Sequence, residues 1–279
     1  VKPGGLEALP APVRFWLAVA LIYPLLPDVS LYGVSPKDVW FMVVLISTVN
    51  SAGYLLLRLI GKGGVLVAGL LGGLVSSTPT AVSLSSISKK NSAIVRECAG
   101  GIVGASAVMF LRVLLLTAVL NAKLARVLSA PTVFSFLLGA VFLKRLSASV
   151  ARDARLSVKN PYEISTVVNF ALLYALVLLV SKKAVGVAGS YGVVAVSAVA
   201  GVTDVDAITL SVSRMASGLE VGVVPGAVAI LTASTVNTVF KWFLTLYLGT
   251  KELFRAVTPG FALILAGEVL GVLLVATLC

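Results

Sequence analysis

The stretch Gly201-Val-Thr-Asp-Val-Asp-Ala-Ile-Thr-Leu-Ser211 decides how this chain is read. Asp204 and Asp206 lie inside a run, 187–213, that is otherwise almost free of charge. An ionised Asp at mid-bilayer costs at least about 2.5–3.5 kcal/mol, so such a residue faces a cavity, a partner or an ion. On a regular helix a spacing of two residues separates two side chains by about 200°. The carboxylates converge only where the backbone unwinds, and Gly201 just upstream permits that. Three readings stay open: a cation or proton site, an ion pair with Arg112 or Lys241, or a helix cap made by Asp204.

Composition says which solvent surrounds this run. The chain has 279 residues, 59% hydrophobic and 12% charged, with a mean hydropathy of +1.08. A soluble domain is about 25% charged, so half the charge needed to cover a core in water is missing. Lipid permits the balance. The net charge of +11 comes from clusters between apolar runs, such as Lys89, Lys90 and Arg96, or Lys144, Arg145, Arg152, Arg155 and Lys159. Those flank membrane spans and face anionic headgroups. No basic stripe with interleaved aromatics occurs, so no nucleic-acid partner is expected. Two cysteines, Cys98 and Cys279, and no histidine exclude a zinc-ligand pattern.

Runs of about 20 apolar residues give nine candidate segments, 12–30, 38–60, 64–88, 93–121, 129–147, 162–182, 187–213, 222–249 and 256–278. The expected fold is an all-α polytopic transmembrane bundle in the cell membrane. Residues 1–37 hold a tail and an extra helix, 38–147 a first unit, 148–161 a basic linker and 162–279 a second unit. Sliding the chain by 126 residues puts Ser77 on Thr203, Thr80 on Asp206, Leu84 on Leu210 and Ser85 on Ser211. With one residue of slack Arg112 falls on Lys241. Two blocks, Ser47-Thr-Val-Asn50 and Ser165-Thr-Val-Val-Asn169, look alike in the preceding segments. Two units of four spans are expected, related by an axis along the membrane normal. If 64–88 and 187–213 instead dip in and return, the count becomes odd and the units invert.

The first unit answers the two acids with hydroxyls: Ser76, Ser77, Thr78 and Thr80, with Pro79 expected to break the helix and free carbonyls. Together with Thr203, Asp204 and Asp206 these form an oxygen-rich cluster, which hard cations prefer. Asp204 and Asp206 are the expected metal-binding pair. Arg112 and Lys241 either neutralise the acids or bind an anion. Asn50, Asn169 and Asn237 are amides within spans, as hydrogen-bond partners of neighbouring helices or as ligands. Gly69/Gly73 and Gly100/Gly104, at GxxxG spacing, mark close crossings within the fold or between subunits of a homo-oligomer. Glu268 faces the interior or the interface. The chain lacks histidine for a Ser–His pair, a second segment with a deep Asp for an aspartyl protease, and any nucleotide-binding loop. No enzyme is expected, and no resident cofactor.

Several motifs occur in an order that resembles the DUF4010 membrane domain of MgtC/SapB family proteins. They are Val43-Val-Leu-Ile-Ser47 through Gly53-Tyr54, Gly69-Leu-Leu-Gly-Gly-Leu-Val-Ser-Ser-Thr78, Asn160-Pro-Tyr-Glu163, Ala200 to Ser211, and Asn237. The resemblance covers the chain from about residue 12 onward. It departs at Pro79, where a non-proline residue is expected. The MgtC-type N-terminal domain is not seen here, which implies a stand-alone version or a fragment. The resemblance implies membrane transport or magnesium-linked physiology and carries over no site residue.

The leading expectation is a transporter or channel for a small inorganic cation, Mg²⁺ favoured over monovalent ions. The site lies between the two interrupted segments. The alternatives are a non-transporting scaffold with a buried ion-pair network, and an anion or lipid-headgroup carrier built on Arg112 and Lys241. The lipid bilayer and a small ion are the expected partners.

Overall fold

The protein's structure, a computed structural model, describes residues 11–27, 29, 34–60, 64–146 and 164–278. The linker 148–161, the motif at 160–163 and Cys279 lie outside the described residues. The described chain forms helices α1 (Ala11–Ile22), α2 (Pro36–Ile60), α3 (Val65–Val75), α4 (Ser77–Lys90), α5 (Val95–Leu120) and α6 (Ala122–Leu146). There follow α7 (Ile164–Ala188), α8 (Gly192–Thr203), α9 (Val205–Ser217), α10 (Val223–Leu248) and α11 (Lys251–Leu278).

Six of the helical stretches are long and apolar enough to cross a membrane, and their outer faces carry exposed Leu59, Leu172, Leu176, Leu246 and Leu273. Water does not tolerate that much apolar surface on a monomer, so the molecule is a membrane protein. Helix α5 is the hub. Its apolar window is 72% buried, against 22–44% for the others. Met109, Phe110, Val113 and Leu116 pack into the main core with Leu84, Ile208, Leu210 and Phe261. Helix α11 runs antiparallel along α6, with Gly260 against Phe142, Gly267 against Phe134 and Gly271 against Pro131. Backbone contact through small residues is how helices associate where no hydrophobic drive separates them from lipid.

The segments 64–88 and 187–213, expected as single spans, are not single helices. Gly69 abuts Gly101 and Gly73 abuts Ala105, so α3 runs parallel to the first half of α5. Helix α4 then reverses, with Leu84 back on Gly101, and ends where α5 begins. Helices α3 and α4 are thus a hairpin that follows α5 to the level of Arg112 and returns to its starting end. Helices α8 and α9 do the same along α10, with Gly201 against Ala233 and Val212 back on Gly226. The outer end of the second hairpin, at Ser213 and Ser217, bonds Thr117 and Leu120 at the C-terminal end of α5. The outer end of the first hairpin lies at the N-terminal end of α5. The two hairpins enter from opposite ends of the bundle, and their tips meet inside it.

Each tip is one extended residue between two helices. Ser76 has φ −167° and ψ 119°, and Asp204 has φ −157° and ψ 119°. Short polar residues favour this half-helical position because their side chains can bond the next turn's free N–H groups. Proline does not make the first break, contrary to expectation. Pro79 lies in the first turn of α4, where its missing N–H is harmless, three residues past the break at Ser76.

Candidate functional site

A cavity of about 400 Å³ lies where the tips meet. The first hairpin contributes Gly73 and Val75 to Pro79, and the second Thr203 to Asp206. Helix α2 adds Ile46, Ser47 and Asn50, α5 adds Met109 and Arg112, and α10 adds Asn237. Helix α7 supplies Thr166, Val167, Asn169, Phe170 and Leu173, all in its first half. The cavity therefore extends from the tips toward the end of the bundle where α7 begins. At the opposite end Arg214 and Asp38 form an ion pair with an Nη2–Oδ2 distance of 2.9 Å, and fully buried Tyr174, next after Leu173 near the middle of α7, lies within electrostatic reach of it.

Of the eleven site residues expected from sequence, nine line the cavity: Ser77, Thr78, Thr203, Asp204, Asp206, Arg112, Asn50, Asn169 and Asn237. Thr80 does not. Its hydroxyl donates to the Ser76 carbonyl at 2.8 Å and packs toward Gly72, which fastens the first turn of α4. Lys241 does not either. It is fully buried behind the tip, where Nζ donates to Ser77 Oγ at 3.1 Å and contacts Met109 Sδ at 3.3 Å.

The difference between Arg112 and Lys241 follows from register. The breaks at Ser76 and Asp204 stand 128 residues apart (76 to 204), not 126. Helices α5 and α10 also begin 128 residues apart (95 to 223). Ser76 then answers Asp204, Thr78 answers Asp206, Gly73 answers Gly201 and Met109 answers Asn237. Arg112 and Lys241 are one residue out of step, about 100° around the helix. One faces the cavity and the other does not. Asn50 and Asn169 lie 119 residues apart (50 to 169), so they reach the cavity from different depths of α2 and α7. Met109 and Thr166 were not expected in the cavity: the Met109 thioether is no oxygen ligand, and Thr166 belongs to the 165–169 block, of which only Asn169 was expected at the site. The 128-residue offset would have singled out Met109 as the counterpart of Asn237.

The acids hold the two structural places left open by the sequence, and both still face the cavity. Asp204 caps α9, with Oδ1 accepting from the N–H groups of Asp206 at 2.7 Å and Ala207 at 3.2 Å. Asp206 Oδ2 accepts from Arg112 Nη2 at 2.6 Å. The same Nη2 reaches Asn50 Oδ1 at 2.8 Å, while Nη1 donates to the carbonyls of Leu74 at 2.8 Å and Val75 at 2.6 Å. Arg112 thereby satisfies the last carbonyls of α3, the negative end of that helix. Asn237 Nδ2 donates to the Gly201 carbonyl at 2.8 Å, and its Oδ1 is buried without a partner among the described residues. Glu268, on α11, is 5% exposed and lies outside this cavity. Among the described residues no group of three or more acids, cysteines or histidines could hold a metal ion. An ion here would have to use amide, hydroxyl and carbonyl oxygens as well.

The sequence pattern described as a domain of unknown function, DUF4010, matches residues 44–249. An uncharacterized protein of Aquifex aeolicus strain VF5 is 29% identical over 197 residues, covering 69% of this chain and 86% of that protein. No solved structure matches. The match takes in both hairpins and every residue around the tips, so this chain belongs to the DUF4010 family.

Proposed function

We propose that the protein is a membrane transporter for a small inorganic cation, with the solute passing between the two hairpin tips. The observation that carries this reading is the meeting of two helical hairpins, inserted from opposite ends, at a polar cavity deep in an apolar bundle. Broken helices whose ends point into a central cavity supply ion sites in transporters, and the surrounding repeats move against one another to expose the site on alternate sides. Each half of the chain would comprise three crossing helices and one hairpin that dips in and returns. Helices α2 and α7 have 25 residues each and begin 128 apart (36 to 164), and α5 and α10 have 26 each. An odd number of crossings makes the halves inverted rather than parallel.

This topology also sorts the basic residues. The end toward which the cavity extends carries Arg58, Lys89, Lys90, Arg96, Lys144, Lys251 and Arg255, and the sequence between α6 and α7 holds Arg152, Arg155 and Lys159. The other end carries Lys37, Lys123, Arg126, Lys182, Lys183 and Arg214. The richer end is the cytoplasmic one by the positive-inside rule. The shape described here is then the one open to the cytoplasm.

The MgtC/SapB resemblance favours Mg²⁺, but the charge balance of the cavity favours a singly charged ion. Asp206 is paired with Arg112 and Lys241 is turned to Ser77, so Asp204 is left with no cation in contact. The contact between Arg112 and Asp206 also favours the scaffold reading, which needs both cations on the acids and no way in. Lys241 touches neither acid, and a cavity reaches both. Ion jumps on proteoliposomes of the full chain, read as current on a supported membrane, test the proposal. A saturable current with Na⁺ or K⁺ is expected. Silence with Na⁺, K⁺ and Mg²⁺ alike overturns it.

A further inference from the structure

The two hairpin tips differ in one respect that locates the ion. At the end of α3 the carbonyls of Leu74 and Val75 are both taken by Arg112 Nη1. Their counterparts 128 residues on are Val202 and Thr203, at the end of α8. Those two carbonyls accept no backbone hydrogen bond among the described residues; the neighbouring Ala200 carbonyl is satisfied by Asp204 N–H and Thr203 Oγ1, and Gly201 by Asn237. The cation that would cap them by analogy, Lys241, is one residue out of step and turned to Ser77.

We infer that a singly charged alkali cation occupies at α8 the place that the Arg112 guanidinium occupies at α3, held by the Val202 and Thr203 carbonyls, Asn237 Oδ1 and the Asp204 carboxylate. Asn237 supplies the independent sign of a ligand. It is 2% exposed and lines the cavity, its orientation is fixed by the 2.8 Å bond to Gly201, and its acceptor oxygen has no partner. A buried acceptor without a partner costs about 1–3 kcal/mol, which coordination of an ion would offset. The carbonyl end of a helix is the negative end and favours a cation. The Asp204 Oδ1 cap leaves the second carboxylate oxygen for the ion. The charge is decided by the contacts: Asp206 is paired with Arg112 at 2.6 Å and Lys241 is turned to Ser77, so Asp204 is the one carboxylate of the tip with no cation against it, and it matches one positive charge. A divalent ion of the Mg²⁺ kind would keep several waters and seek further carboxylates. The site rests on the cation reading proposed above and deepens it.

The test is thermal unfolding of the purified full chain in NaCl, KCl, MgCl₂ or choline chloride at equal ionic strength. Saturable stabilisation by Na⁺ or K⁺ over choline is expected, with none from Mg²⁺. Asp204→Asn keeps the cap, since Asn caps as well as Asp, but removes the charge. It and Asn237→Ala are each expected to raise the half-saturating concentration by roughly tenfold or more. Their unfolding in choline reports whether they fold, and Asn237→Gln, which retains an amide oxygen, is expected to keep part of the effect. Alkali stabilisation that survives both Asp204→Asn and Asn237→Ala overturns this placement while leaving cation transport standing. Stabilisation by Mg²⁺ alone overturns the inferred charge. No stabilisation by any of the salts overturns the site, and the proteoliposome currents then decide the transport reading separately.

Discussion

Arg112 Nη2 donates to Asp206 Oδ2 at 2.6 Å while Nη1 of the same side chain holds the last carbonyls of α3. One guanidinium therefore ties the two hairpin tips together from a helix that belongs to neither. The Arg112 side chain is 4% exposed and that of Asp206 18%. Removing one member of a buried pair costs about 3–5 kcal/mol because the other charge is left uncompensated. Asp206→Asn leaves Arg112 its three other acceptors, so a smaller loss of about 1–3 kcal/mol is expected. Arg112→Leu strands both the acid and the carbonyls and falls at the upper end. The double variant Arg112→Leu/Asp206→Asn should lose less than the sum of the two single losses. Melting temperatures of the four proteins in one detergent check the order, and strict additivity would mean that the pair is not coupled.

Much of the fold was legible in the sequence for a simple reason: lipid demands long apolar helices, and apolar length is read directly. Helices α2, α5, α7, α10 and α11 begin within five residues of the expected starts, and α6 begins seven residues early. The reversal of the hairpins was not legible. A hairpin of 11 and 14 residues and a kinked span of 25 have the same composition, and only packing against α5 tells them apart. The candidate site was legible through Asp204 and Asp206, because a carboxylate in an apolar run needs a reason. The hydroxyls misled by two residues, since Ser and Thr are common enough in small-residue helices to align at a false offset. Lys241 was expected to share the role of Arg112, and a single residue of slip removes it from the cavity.

Gly73 and Gly201 stand at equivalent places and each lets a hairpin lie directly on the backbone of its long helix. A Cβ on Gly201 would come within 2.6 Å of the Ala233 carbonyl oxygen and 2.8 Å of its Cα. Backbone cannot yield as a flexible side chain can, so overpacking here costs about 1–3 kcal/mol or more. Gly201→Val should also move the Gly201 carbonyl off Asn237 and disturb the tip. The check is a lowered melting temperature together with a loss of alkali stabilisation. Gly186→Val is the control: nothing lies within 4 Å of a Cβ there, so only the ordinary helix-propensity change is expected.

The topology makes a prediction that parallel units would fail. Ser92, between α4 and α5, and Thr250, between α10 and α11, should lie on the cytoplasmic side, and Asn121, between α5 and α6, on the other. Single cysteines at these positions, in a chain with Cys279→Ser, can be tagged in intact cells with a membrane-impermeant maleimide. Cys98 is fully buried and should stay silent. Asn121→Cys should be labelled from outside, with Ser92→Cys and Thr250→Cys protected until the membrane is opened. Four full spans per unit would place Ser92 and Thr250 on opposite sides, so labelling of only one of them from outside refutes the hairpins.

The ion pair Arg214–Asp38 joins α9 to the start of α2 at the end away from the cavity mouth. Its side chains are 43% and 41% exposed, and an exposed pair adds only about 0–1 kcal/mol to stability. Its consequence should lie in access. By tying α9 of the second hairpin to the start of α2, the pair is expected to help close the outer route. Asp38→Asn should leave the melting temperature nearly unchanged while Ser47→Cys, within the cavity, becomes accessible to the impermeant maleimide from outside. The charge-swapped variant Asp38→Arg/Arg214→Asp should restore protection. Ser47→Cys equally shielded in all three backgrounds would show that the pair does not close that route.

Lys241 offers the sharpest contrast with Arg112. It is fully buried, and its ammonium meets a hydroxyl and a thioether, with no acid in direct contact among the described residues. Desolvating an ammonium is expensive unless a charge partner repays it. Methionine has nearly the same length, fits irregular space and needs no hydrogen bond. Lys241→Met should therefore leave the protein as stable as before or raise its melting temperature, at the small cost of one lost donor to Ser77. Lys241→Ala should lower it, by about 2–5 kcal/mol, because the deleted chain leaves a cavity beneath the tip. A Lys241→Met protein that melts as early as Lys241→Ala would show that the ammonium, rather than the volume it fills, holds the tip in place.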